Sequence, residues 1–211
     1  MAFKEKIKSE EYALFGIYFS SALGYMFALY NIYIGLFHGI AWNISMFAYY
    51  VCLASIRLFV AVCMQKKMNK EKSASGNVCF LFSSIFLVVL NVLAIAPIVL
   101  MCLFREAVNM STIPAITVAT YTCYKVVMAI TKLIRIKNRE NLYLIACDNV
   151  DFVDAMMSIL TLQNTLILTF GTVTKGMVIL CVVSSSLIVF VLVVLSLIAL
   201  NFSKRCMFME K

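Results

Sequence analysis

The chain has 211 residues, of which 64% are hydrophobic and 13% charged, and it carries a net charge of +8 at pH 7. A soluble domain is about half apolar and about a quarter charged, so these values exclude an ordinary soluble domain. In a soluble protein the positive charge would point to nucleic acid; here its placement along the chain follows membrane topology, and no nucleic-acid partner is expected.

Six apolar segments are predicted, at roughly 13–36, 42–64, 78–104, 112–134, 150–173 and 177–202. Each is near the length a helix needs to cross a hydrocarbon core about 30 Å thick. In lipid the backbone must satisfy its hydrogen bonds within the segment, which selects helices. Barrel strands would alternate over about ten residues, whereas these runs are continuous. The expected fold is therefore all-α: a single domain over residues 1–211, an integral membrane bundle of six transmembrane helices with short loops.

The first segment follows Lys4, Lys6 and Lys8. Its apolar run is longer than the core of a signal peptide and no A-x-A site follows it, which favours a retained helix. Ser20, Gly24, Ala28, Asn31, Gly35 and His38 form one small, polar face. Small residues allow close helix approach, so this face is expected to be a packing seam, with Asn31 bonding across it. In the second segment Asn43, Tyr50 and Arg57 recur every seven residues and so share one line along the helix. The third places Ser84 and Asn91 on one side, and Pro97 is expected to kink or loosen it.

The fourth segment carries Thr117, Thr120, Tyr121, Tyr124, Lys125 and Thr131 on one broad arc. A lysine near the centre of a span costs about 2.5–3.5 kcal/mol on insertion scales, so Lys125 is expected to face the bundle interior; snorkelling to the headgroups is the alternative. Between the fourth and fifth spans, roughly residues 140–149, lies a stretch too apolar for a loop and too short to span, read as a short interfacial helix.

The fifth segment is the most informative. Asp151, Asp154, Ser158, Thr161, Thr165, Thr169 and Thr172 follow one another at spacings of three or four residues, and Leu, Ile and Met fill the positions between. On a helix they form a single polar stripe headed by two carboxylates. Asp148 extends the acidic end, close to the basic Lys132, Arg135 and Lys137. Gln163 and Asn164 lie off the stripe and are expected to bond another helix. The sixth segment is the most lipid-like, and segments two and three compare loosely with four and five as a repeated hairpin.

Fourteen of the eighteen Lys and Arg residues fall in the N-terminal tail, the second and fourth gaps and the C-terminal tail, against Arg105 and Lys175 in the others. Basic residues in short loops stay on the cytoplasmic side. Both termini are therefore expected to be cytoplasmic in a multi-pass protein of the cell membrane, with the basic loops beside anionic lipid headgroups. Eight cysteines without a C-x-x-C pair indicate neither disulfides nor a zinc site. His38 is the single histidine and no nucleophile–base or metal motif appears, so neither an enzyme nor a cofactor is expected.

These features predict a transporter or channel for a small polar solute or ion. Its path would run along Asp151, Asp154, Ser158, Thr161 and Thr165, with Lys125, Tyr121 and Tyr124 from the fourth segment and Arg57, Tyr50 and Asn43 from the second. The alternative is a non-transporting subunit, assembly factor, sensor or immunity protein whose polar residues are interhelical contacts. A homo- or hetero-oligomer is compatible with either.

Overall fold

The structure, a computed structural model, describes residues 2–39, 41–69, 76–96, 112–136, 141–170 and 175–209. Within them lie six long helices and no strand: α1 (Ala2–His38), α2 (Ala41–Met68), α3 (Gly76–Leu93), α4 (Thr112–Ile136), α5 (Leu142–Phe170) and α6 (Lys175–Met209). The expected kink at Pro97 lies outside the described residues.

Four stretches are long and apolar enough to cross a membrane: Glu10–Phe37, Asn43–Met68, Gly76–Leu93 and Val182–Lys204. They fall in α1, α2, α3 and α6. The expected fourth and fifth spans correspond to α4 and α5, which hold Lys125, Lys132, Asp148, Asp151 and Asp154 and are not among the four. Large apolar side chains stay exposed along the outside, among them Phe15 and Phe37 on α1, Val89 on α3 and Phe190 on α6. Such continuous apolar faces are unusual on a soluble monomer and match a lipid environment.

α5 is the central element and packs against α2, α3, α4 and α6. Its Val150, Val153, Met157 and Leu160 join Met46, Tyr49, Tyr50 and Leu53 of α2, Leu87 and Leu90 of α3, and Val189 and Leu192 of α6 in one buried core. A second cluster lies at the end where α5 begins, where Tyr143, Ala146 and Cys147 meet Val60, Cys63 and Met64 of α2 and Cys79 and Phe80 of α3.

This second cluster corrects the reading of residues 140–149. They do not form a separate surface helix; from Leu142 onward they are the first turns of α5. Asn141 caps the helix by accepting a bond from the Tyr143 backbone N–H at 3.1 Å. No glycine or proline interrupts the segment from 142 to 170, so nothing breaks the helical hydrogen-bond ladder. Tyr143, Ala146 and Cys147 are buried rather than presented to a surface.

α1 packs on α2 along the expected small-residue seam. A Cβ on Gly24 would lie 3.3 Å from Ala54 Cβ, and one on Gly35 only 2.8 Å from Ile44 Cγ1. Ser21 Oγ donates to the Ala54 carbonyl at 3.0 Å, and Tyr18 Oη donates to Gln65 Oε1 at 2.6 Å. Asn31 does not bond across the seam: its amide donates to the Phe27 carbonyl of its own helix at 2.8 Å, because a side chain facing small neighbours finds its nearest acceptor one turn back. Gly39, at φ 69°, ends α1 in the left-handed conformation that favours glycine.

Candidate functional site

The costliest residue in the fold is Arg57, which is 1% exposed on the inner line of α2. Its Nη2 lies 2.7 Å from Asp151 Oδ1 and 3.3 Å from Asp154 Oδ2, and its Nη1 donates to the Ser20 carbonyl of α1 at 3.2 Å. Asp151 and Asp154 sit on one face of α5 because three residues make slightly less than one turn. Both can therefore meet one planar guanidinium.

From α4, Lys125 Nζ donates to Asp154 Oδ1 at 3.0 Å and to Ser158 Oγ at 3.2 Å. Two turns later on α4, Lys132 pairs with Asp151 Oδ2. The five charged side chains thus alternate in one chain, Lys132–Asp151–Arg57–Asp154–Lys125. Lys125 also stands over aromatic rings, 4.9 Å from the Tyr121 centroid, 5.6 Å from Phe27 and 5.8 Å from Tyr50. Ring faces stabilise a cation that has left water. Its head group turns inward to Asp154 and not out along the helix.

Beside this chain lies a cavity of about 370 Å³, within the range of roughly 300–1,000 Å³ typical of ligand pockets. α5 supplies one wall with Leu144, Cys147, Asp148, Asp151 and Asp154, and α4 another with Tyr121, Tyr124, Lys125, Met128, Ala129 and Lys132. Ala13, Gly16, Ile17, Phe19, Ser20 and Leu23 of α1 complete it.

The remaining stripe residues behave differently. Ser158 and Thr161 are buried and bond back to the Asp154 and Met157 carbonyls of their own helix, at 2.8 and 2.9 Å. Tyr50 Oη sits against Thr161 Oγ1 at 3.5 Å, so an aromatic side chain covers the stripe directly beyond Asp154. The side chains of Thr165 and Thr169, and Thr172 altogether, lie outside the described residues, as do the side chains of His38 and Thr117.

Among the residues singled out from sequence, Asp151, Asp154, Ser158, Arg57, Lys125, Tyr121, Tyr50 and Thr161 come together. Tyr124 stands at the rim of the cavity and is 61% exposed. Asn43 is buried beside Gly35, two turns along α2 from Tyr50, away from the charged chain. Thr120 and Thr131 are exposed and bond to their own helix. Gln163 bonds Ser184 of α6, the interhelical contact expected of it; the Asn164 side chain lies outside the described residues.

Three members of the site were not singled out for it: the Ser20 carbonyl, Phe27 and the cavity wall of α1. A backbone acceptor and an aromatic wall leave no charge or spacing signal in a sequence. Lys132 lies seven residues from Lys125, so the two share one face of α4, and that spacing is the signal the sequence offers for it. Among the described residues no group of three His, Cys, Asp or Glu side chains is arranged to hold a metal ion.

No protein-family model, curated protein or solved structure matches the chain.

Proposed function

We propose that this is a six-span membrane protein with both termini in the cytoplasm that moves a small polar solute or ion. α1, α2, α3 and α6 have the length and composition of spans, and α4 and α5 complete the set with their charges turned to one another. The distribution of basic residues between alternate gaps supports the orientation. It is a single domain, and its cytoplasmic loops adjoin anionic lipid; no chemistry is assigned to it as an enzyme.

One observation carries this reading: an alternating chain of five charges, buried at Arg57 and Asp154 and partly exposed toward Lys132, borders a cavity large enough for a solute. Ionisable residues inside a span are expensive and mark solute or proton pathways. The cavity occupies the half of the bundle where α5 begins, and Tyr50 against Thr161 closes the way beyond it. The solute would enter from the cytoplasmic half, exchange with links of the charged chain, and pass when Tyr50 moves. Flux assays in vesicles with purified protein, across a panel of ions and small polar solutes, test this directly. Tightness to the whole panel, with correctly folded protein, would remove it.

A second reading, a non-transporting subunit, is favoured by a different observation. Each oxygen of Asp151 and Asp154 already holds a cation, and Ser158 and Thr161 each donate to a carbonyl of their own helix. Under that reading the chain of charges fixes the mutual register of α2, α4 and α5.

A further inference from the structure

An ammonium group has three donors and no acceptor. Lys125 uses two of them, on Asp154 and Ser158, and Lys132 uses one, on Asp151. Three donors therefore remain on two side chains that border the cavity. Arg57 Nε, close behind them, is buried without a partner. Asp151 and Asp154 are in the opposite state, since all four of their oxygens hold cationic nitrogens. Asp148 also borders the cavity and has contacts of its own.

The two lysines start two turns apart on α4 but end on carboxylates one turn apart on α5, so their head groups converge. At Lys125 and Lys132 a ligand meets spare donors beside the filled oxygens of Asp151 and Asp154, and the head group complementary to that part of the wall is an anion. The facing wall on α1 is apolar, with Ala13, Ile17, Phe19 and Leu23. Gly16 leaves a gap in it, because a Cβ at that position would meet nothing within 4 Å. Phe19 and Tyr124, on either side, are 59% and 61% exposed, so the flank of the cavity between α1 and α4 is edged by apolar and aromatic surface.

We propose that the cavity between α1, α4 and α5 binds an amphipathic organic anion, with its carboxylate or phosphate head at Lys125 and Lys132 and its apolar body along α1. This rests on reading the cavity as the solute site and names the class of solute it takes.

Octanoate is the probe, in equilibrium binding to the purified full chain in phosphatidylcholine nanodiscs. Octylammonium supplies the same body with a cationic head, and inorganic phosphate supplies a head alone. Saturable binding of one octanoate per chain is expected, with none for octylammonium and binding at least about tenfold weaker for phosphate. Gly16→Phe fills the gap from α1 and should abolish octanoate binding while leaving the melting temperature in place. Lys132→Gln, on the more exposed lysine, should weaken octanoate by about tenfold, the effect of one lost hydrogen bond to a charged group.

Equal binding of octylammonium, no saturable octanoate binding, or indifference to Gly16→Phe would each overturn the proposal. If phosphatidylglycerol added to the nanodiscs competes with octanoate, the natural anion is a membrane lipid; if it does not, the anion is a soluble amphiphile, and the site stands in both cases. Octanoate binding without flux in vesicles would uphold the site and remove transport. Flux of another solute without octanoate binding would do the reverse.

Discussion

Arg57, Lys125 and Lys132 face two carboxylates, so within this chain three positive charges meet two negative ones. The excess decides which substitution harms the fold more. Asp154→Asn leaves three cations around one carboxylate, with Arg57 and Lys125 both stripped of a partner. Breaking a buried pair from one side destabilises by about 3–5 kcal/mol. Lys125→Met instead leaves two cations and two carboxylates, keeps the apolar stem against Tyr121 and Tyr50, and should cost less than about 2 kcal/mol. Thermal or denaturant unfolding in detergent measures both, and a Lys125→Met loss equal to that of Asp154→Asn would show that the chain does not act as a charge-balanced unit. The four deepest charges were legible in the sequence because a charge inside an apolar run is costly wherever it stands. Their partners were legible less evenly. Asn31, Thr120 and Thr131 lie on predicted polar faces yet bond to their own helices, since a short polar side chain can satisfy itself one turn back.

At the level of the helices, apolar length was enough to place α1, α2, α3 and α6, and the seven-residue spacing of Tyr50 and Arg57 placed the right face of α2 inward. The start of α5 was harder to read. Residues 142–149 mix Tyr, Cys and Asp with apolar residues, and composition alone does not tell a buried first turn from a surface helix. The seam between α1 and α2 offers a sharper test of helix packing. Gly35 is held so closely that an added Cβ would come within 3.1 Å of the Ile44 backbone nitrogen, so Gly35→Leu must push the two helices apart. A loss of about 1–3 kcal/mol is expected, as for overpacked interiors. Gly16, on the same helix, has nothing within 4 Å of an added Cβ, so Gly16→Ala should stabilise by about 0.5–1 kcal/mol through helix propensity alone. Melting temperatures that fall equally for both would show that the seam is not where α1 is held.

For the whole molecule, the proposed orientation and the proposed path make separate predictions. In a cysteine-free background, a cysteine introduced near Lys70 should be shielded from an impermeant thiol reagent in intact cells, and one near Glu106 or Lys175 should react. Labelling at Lys70 with protection at Lys175 would invert the topology while leaving the packing untouched. The path turns on Tyr50 and Thr161, whose hydroxyls meet at 3.5 Å, a distance at which a hydrogen bond contributes little. Tyr50→Phe loses this contact and one to Ser158 and should lower stability by no more than about 1.5 kcal/mol, yet it removes the polar tip from the side chain that covers the stripe. Thr161→Leu keeps a side chain of similar reach but replaces a wettable group with an apolar one. If solute passes along the stripe, Thr161→Leu lowers flux several-fold with the melting temperature nearly unchanged. In a subunit whose hydroxyls are packing contacts, function and melting temperature fall together in proportion. The two outcomes separate because flux and melting temperature are read independently, and because the Thr161 hydroxyl donates to the Met157 carbonyl of its own helix. A loss of flux that outruns the loss of stability then comes from the surface that the solute meets, since a packing contact lowers both together.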